Sequence, residues 1–185
     1  NMLYPVPAVM VTCRRADERP NIITIAWTGT ICSDPAMLYI SVRPERYSYA
    51  IIKDSGEFVV NLVSSELVHS ADFCGVKSGR DIDKFLETGL TESVSETVNV
   101  PGIAESPVSI ECRVTQILPL GSHDMFIAEV TSVSVDKKYM DSSGKFCMED
   151  IGLAAYSHGK YFELGNYLGK FGFSVKKENN KKRKV

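Results

Sequence analysis

Residues 21–48 read NIITIAWTGTICSDPAMLYISVRPERYS. The β-branched run from Asn21 to Thr30 predicts a strand ending in small hydroxyl residues and glycine, Thr28, Gly29 and Thr30. Ser33, Asp34 and Pro35 predict a turn. Met37 to Val42 predicts a second apolar strand, running out into Arg43, Pro44, Glu45, Arg46, Tyr47 and Ser48. Two adjacent strand ends then offer backbone N–H groups, hydroxyls and two guanidinium groups. That donor set suits a flat, phosphorylated ligand with a polar edge.

Outward from this stretch, Val6 to Cys13 and the apolar EFVVNLV of Glu57 to Val63 read as further strands. Tyr47 to Lys53 has helical character and stops at Ser55-Gly56. Ser64 to Cys74 has helical spacing, and Asp81 is placed to cap a short helix running to Leu86. Val108 to Leu118 and Met125 to Val135 form a long hairpin around the turn at Leu120 to Asp124. Residues 88–104 and 153–174 carry no clear period. The sequence of elements mostly lacks a β-α-β rhythm and has no G-x-G-x-x-G after a strand, so a Rossmann unit is not supported. It predicts a mainly β (α+β) antiparallel Greek-key barrel in one domain, residues 1–175.

Of the 185 residues, 44% are hydrophobic, enough for a core, and no apolar run approaches a membrane span. The start of the sequence lacks the charged and apolar regions of a secretory leader. The five cysteines are widely spaced and never form C-x-x-C, arguing against a disulfide scaffold or zinc site. Reduced thiols in a cytoplasmic protein are the expectation. The last ten residues carry +5, so the rest carries −7 of the net −2. An acidic body with a basic, solvated tail at 176–185 is a poor candidate for nucleic acid.

The segments NIITIAWTGT (21–30), SDP (33–35), VRPERYS (42–48), FVVNL (58–62), CGVKSGRDIDKF (74–85) and GSHDMFIAEV (121–130) occur in an order that resembles the flavin reductase-like, FMN-binding split-barrel family. Within it the flavoredoxin branch is the nearest match. The resemblance spans roughly residues 5–175 and implies a six-stranded split barrel, a homodimer, and flavin mononucleotide (FMN) bound near the dimer interface. It implies electron exchange with a redox partner protein or NAD(P)H. An NAD(P)H-dependent flavin reductase and a non-catalytic flavin- or haem-binding module are the alternatives.

Trp27, Thr28, Gly29, Thr30, Cys32 and Ser33 are the candidates for the flavin ring; the residues alone equally allow a plain strand-to-turn segment with Trp27 in the core. Arg46, Tyr47 and Ser48 at a helix start are the candidates for the phosphate. Asn61 is a ligand candidate because a polar residue inside VVNLV needs a partner when buried. Ser78 and Gly79 sit in a loop able to close over a phosphate. By resemblance, Lys84 is a phosphate or ring contact and His123 a nicotinamide contact. The Gly-Ser-His-Asp order at 121–124 differs from the Gly-Asp-His common in the reductases, so an exposed hairpin histidine is the other reading. No acid–base pair or metal cluster is expected, because the flavin itself carries such chemistry.

Overall fold

The computed structural model describes residues 2–175; the basic tail lies outside the described residues. The strands are β1 (Val6–Pro7), β2 (Val9–Cys13), β3 (Asn21–Ile25), β4 (Thr28–Ser33), β5 (Ala36–Val42), β6 (Glu57–Leu62), β7 (Glu92–Ser93), β8 (Gly102–Ile103), β9 (Val108–Pro119), β10 (Asp124–Val135), β11 (Ala154–Ser157) and β12 (Lys160–Glu163). Helices α1 (Tyr47–Ser55), α2 (Val68–Val76) and α3 (Lys84–Thr88) are inserted between them. One seven-stranded antiparallel sheet runs in the order β3-β2-β6-β9-β10-β5-β4. It curls until β3 comes alongside β5 without pairing to it, so the barrel is split along that line.

The run expected as one strand from Asn21 to Thr30 is two. Ala26 and Trp27 form a bend, the Trp27 carbonyl accepts from the Ser41 amide at 2.9 Å, and the chain crosses from β2 to β5. That crossing carries the chain over the split. The β4–β5 hairpin turns at Asp34-Pro35, where the turn was expected. The segment without a clear period yields the β11–β12 hairpin, which pairs with β1 in a separate three-stranded sheet.

Inside the barrel, alternate residues of each strand meet: Val9, Val11, Ile23, Ile25, Leu38, Ile40, Phe58, Val60 and Phe126 are buried. Helix α1 contributes Ile51 and Ile52 to this core, and Gly56 ends it at φ +68°. Its start is tied to β10 by the Tyr49 hydroxyl, which donates to Asp124 at 2.6 Å. A second core lies outside β2 and β3, where Met10 and Ile22 meet Ala71 and Cys74 of α2 and Phe85 of α3. Packed on both faces, β2 and β3 are mostly apolar and almost wholly buried, with Thr12, Asn21 and Thr24 as their polar residues. The cap of α3 is Asp83, accepting from the Leu86 amide at 3.2 Å, and not Asp81. No helix among the described residues is long and apolar enough to cross a membrane.

Candidate functional site

Two joined clefts lie along the split. Ile23, Arg43, Arg46 and Gly75 belong to both. The first, about 480 Å³, has Ile23, Thr24 and Ile25 of β3 and Ser41 and Val42 of β5 along its sides. Trp27 and His123 stand on one wall, their ring centroids 4.4 Å apart and their planes tilted by 43°; Tyr4, Tyr156 and Tyr161 stand on another. Trp27 is therefore not a core residue, being 36% exposed at the bend. Burial and the Arg43 guanidinium hold His123 below the ordinary histidine value, against a weaker pull from Glu45. The Tyr161 hydroxyl donates to Asp72 of α2 at 3.2 Å, and burial with that carboxylate pushes its pKa up to about 12.

The backbone of β3 adds groups that no side-chain motif announces. Lys84 Nζ donates to the Ile22 carbonyl, so Ile22 turns its polar groups away from β2. Antiparallel alternation turns Thr24 the same way. Its N–H and C=O point out over the split, offering one donor and one acceptor to a ring edge.

The second cleft, about 470 Å³, is cationic. Arg43, Arg46, Lys77, Arg80 and Lys84 line it, with Glu45 the one acidic residue there. Lys84 is 4% exposed, and its ammonium donates to the carbonyls of Ile22 at 2.6 Å and Cys74 at 2.7 Å. It has no carboxylate partner among the described residues. Burial holds it below the ordinary lysine value. A buried ammonium bonded only to neutral carbonyls is costly unless an anion comes to it. Arg46 makes no ion pair or side-chain hydrogen bond among the described residues and lines both clefts. Ser48, in the first turn of α1, is buried and accepts from Asn21 Nδ2 at 2.8 Å. The first N–H groups of that helix have no intrahelical partner and add donors. Gly79 packs so tightly on Asn21 and Tyr47 that a Cβ there has no room. This closeness brings the 77–80 loop over the cleft.

Of the residues singled out from the sequence, Trp27, Arg46, Tyr47, Ser48, Ser78, Gly79, Lys84 and His123 line the joined clefts. Thr28, Gly29, Thr30, Cys32 and Ser33 line neither. The bend at Trp27 carries them along β4, at the far edge of the sheet, where Thr28 Oγ1 bonds the Tyr39 carbonyl at 2.6 Å. Asn61 is likewise away from the clefts, fully buried. Its amide donates to the carbonyls of Met10 and Val59, and its oxygen accepts from the Ile103 amide and Ser109 hydroxyl. The partner that its burial demanded is the chain itself. Sequence reasoning missed Thr24, the tyrosine wall and Asn21; the tyrosines come from segments far apart in the chain. Cys13 and Cys74 are pushed up to about 12 and about 11 by burial, and Cys112 is pushed up too, so these thiols stay protonated.

A family model described as a flavin reductase-like domain matches residues 2–165. The chain belongs to the flavin reductase-like family. Among the solved structures like it, the flavoredoxin of Desulfovibrio vulgaris (Miyazaki F) superposes with a TM-score of 0.88 at 31% identity, covering 95% of this chain and 96% of that one. The flavoredoxin from Methanosarcina acetivorans gives 0.83 at 26% identity, covering 95% of each. A protein of Archaeoglobus fulgidus is 31% identical over 139 residues, 75% of this chain and 77% of the relative. The flavin reductase-like fold of these structures is the split barrel described above.

Proposed function

We propose that the chain is a flavoredoxin-like electron-transfer protein that holds FMN non-covalently in the joined clefts. The observation that carries this reading is Lys84: a buried, carboxylate-free ammonium at a cationic cleft that opens directly into an aromatic one. The donor set fits a phosphate monoester beside a planar ring. Arg46, Ser48, Lys84 and the start of α1 would hold the phosphate; Trp27, His123 and the Thr24 backbone would flank the ring. When bound, the flavin supplies electron transfer through its ring. The chain's own part is to orient the ring, exclude water with Ile23, Ile25 and Val42, and surround the ligand with positive charge. Cations near a flavin favour its reduced, more negative forms.

We also propose a homodimer. Met37 and Tyr39 of β5 lie beside Met125 and Ile127 of β10 on the outer sheet face, which α1 and α2 leave uncovered by packing against β2, β3 and β6. Beyond β12, Leu164, Tyr167, Leu168 and Phe171 are 63–102% exposed. Apolar area of this kind marks an interface.

A second reading, an NAD(P)H-dependent flavin reductase, draws support from His123, which packs against the Trp27 ring at the open wall. The deciding experiment titrates purified protein with FMN. Trp27 is the one tryptophan, so its fluorescence reports the ring directly. The expected result is quenching with a yellow, one-to-one complex. Protein that takes up no FMN overturns the proposal. Anaerobic NADH or NADPH that leaves the complex yellow favours the carrier; bleaching favours the reductase.

A further inference from the structure

Residues 1–175 carry a net −7, yet cations gather where the two clefts open. Arg43, Arg46, Lys77 and Arg80 are exposed there, and Glu45 is the one acidic residue lining the cationic cleft. Asp81 and Asp83 follow in the chain but line neither cleft, and Asp72, across the aromatic cleft, accepts from Tyr161. A phosphate monoester carries about two negative charges near neutrality, which Lys84 and Arg46 match. Arg43, Lys77 and Arg80 are in excess of that need. Lys77 makes no ion pair among the described residues. Arg80 is held at the rim, its guanidinium 5.8 Å from the centre of the Tyr47 ring and donating to the Glu45 carbonyl at 3.4 Å.

Two exposed apolar groups accompany these cations. Val76, at the end of α2, is 70% exposed and Trp27 is 36% exposed; both line the aromatic cleft. A small apolar area with a charged rim has the anatomy of a protein contact, and electron-transfer encounters use the smallest such areas. A cationic rim on an acidic body also gives the chain a field that turns an acidic partner toward this opening before contact. We propose that Arg43, Lys77 and Arg80, together with the exposed Val76 and Trp27, form the docking surface for an electron-carrying protein with an acidic face. That partner gives up one electron per encounter; two encounters, with two protons from solvent, complete the reduction of a bound flavin. The inference rests on the reading of the joined clefts as a flavin site.

The test uses the FMN-loaded protein and a reduced, acidic plant-type ferredoxin, a donor of low enough potential to reduce a flavin. Flavin bleaching is followed by stopped flow, at saturating FMN, for wild type and for a double variant, Lys77→Glu with Arg80→Glu. The wild-type rate should fall about tenfold or more between about 20 mM and about 500 mM salt. Charge reversal should slow transfer about tenfold at low salt and little at high salt. Reduced methyl viologen, a small cation, reaches the flavin without docking, so reversal should leave its rate equal or faster. A ferredoxin rate indifferent to salt overturns the proposal, as does a reversal that slows both donors alike. So does a reversed pair that loses NADPH binding but keeps ferredoxin transfer, which would make the rim a dinucleotide site.

Calorimetric titration of the FMN-free chain with ferredoxin at low salt separates the two levels. If the chain takes up no FMN, the flavin reading fails and docking is judged by this binding alone. A complex with wild type that the reversed pair loses supports it; no complex, or equal complexes, overturns it. Lys77→Gln with Arg80→Gln removes the charges without adding new ones and keeps the test open if the reversed pair does not fold.

Discussion

Lys84 is the side chain whose surroundings are hardest to explain without a ligand. Its stem is buried beside Cys74, and its charge meets two carbonyl dipoles where an ion pair would ordinarily stand. Replacing it with methionine keeps most of the volume and removes the charge. Lys84→Met should weaken FMN about tenfold or more, while the flavin ring alone, given as riboflavin, binds nearly as before. The pH dependence has a definite sign. Because the folded, ligand-free chain releases this proton below the ordinary lysine value, the unfolded chain holds more protons in the window between the two values. Ligand-free stability therefore rises with pH across that window. FMN affinity falls across the same window, as the ammonium loses its charge. Titration calorimetry across the alkaline range checks this, and affinity that is flat until ordinary lysines titrate contradicts it.

Among elements, two loops outside the sheet are fixed by single residues, and the first of them shapes the cationic cleft. The 77–80 loop rests on Gly79. An alanine there would place its Cβ 3.0 Å from the Tyr47 ring and closer still to Asn21. Gly79→Ala should lift the loop and weaken FMN severalfold, measured by Trp27 quenching. Gly165→Ala, where a Cβ meets nothing within 4 Å, should be silent. The loop after β7 is fixed by Glu111 of β9, which is 3% exposed. Its carboxylate accepts from the Glu96 amide at 2.8 Å and from the Thr97 amide and hydroxyl at 2.7 and 2.6 Å. Burial alone would raise its pKa; these bonds outweigh burial and hold it below the usual carboxylate value. The stability it contributes is thus present above the unfolded value and lost as pH falls through the lower folded one. Glu111→Gln should cost about 2 kcal/mol near neutrality. Its melting curve should approach that of wild type only in acid, as pH falls below the ordinary carboxylate range.

For the whole molecule, the uncovered sheet face and the apolar segment after β12 predict association. Light scattering on the purified chain should give the mass of two copies. Ile127→Glu, which puts a charge at the centre of the exposed face opposite Tyr39, should shift it to one copy. A wild-type monomer would remove the dimer from the proposal.

The strands that formed where expected are those whose signal is local. The long β9–β10 hairpin follows from alternation and a tight turn, and α1 follows from its apolar spacing and Gly56. The cationic grip was legible for the same reason, because Arg46, Tyr47 and Ser48 are neighbours in the chain. Local chemistry by itself thus determined an antiparallel barrel and one cationic strand end. What it could not determine is where the chain changes partners. The bend at Trp27 is invisible in a β-branched run, because it answers to a hydrogen bond from Ser41. That bend sends Thr28 to Ser33 along the sheet edge, while leaving Trp27 at the split. Asn61 needed a partner, but only the register of β2, β6 and β9 decided that Met10, Ile103 and Ser109 would provide it. The tyrosine wall and the outward Thr24 backbone likewise exist only once distant segments pair. Periodicity is set between neighbours in sequence, whereas a cleft is made by residues that meet across the fold.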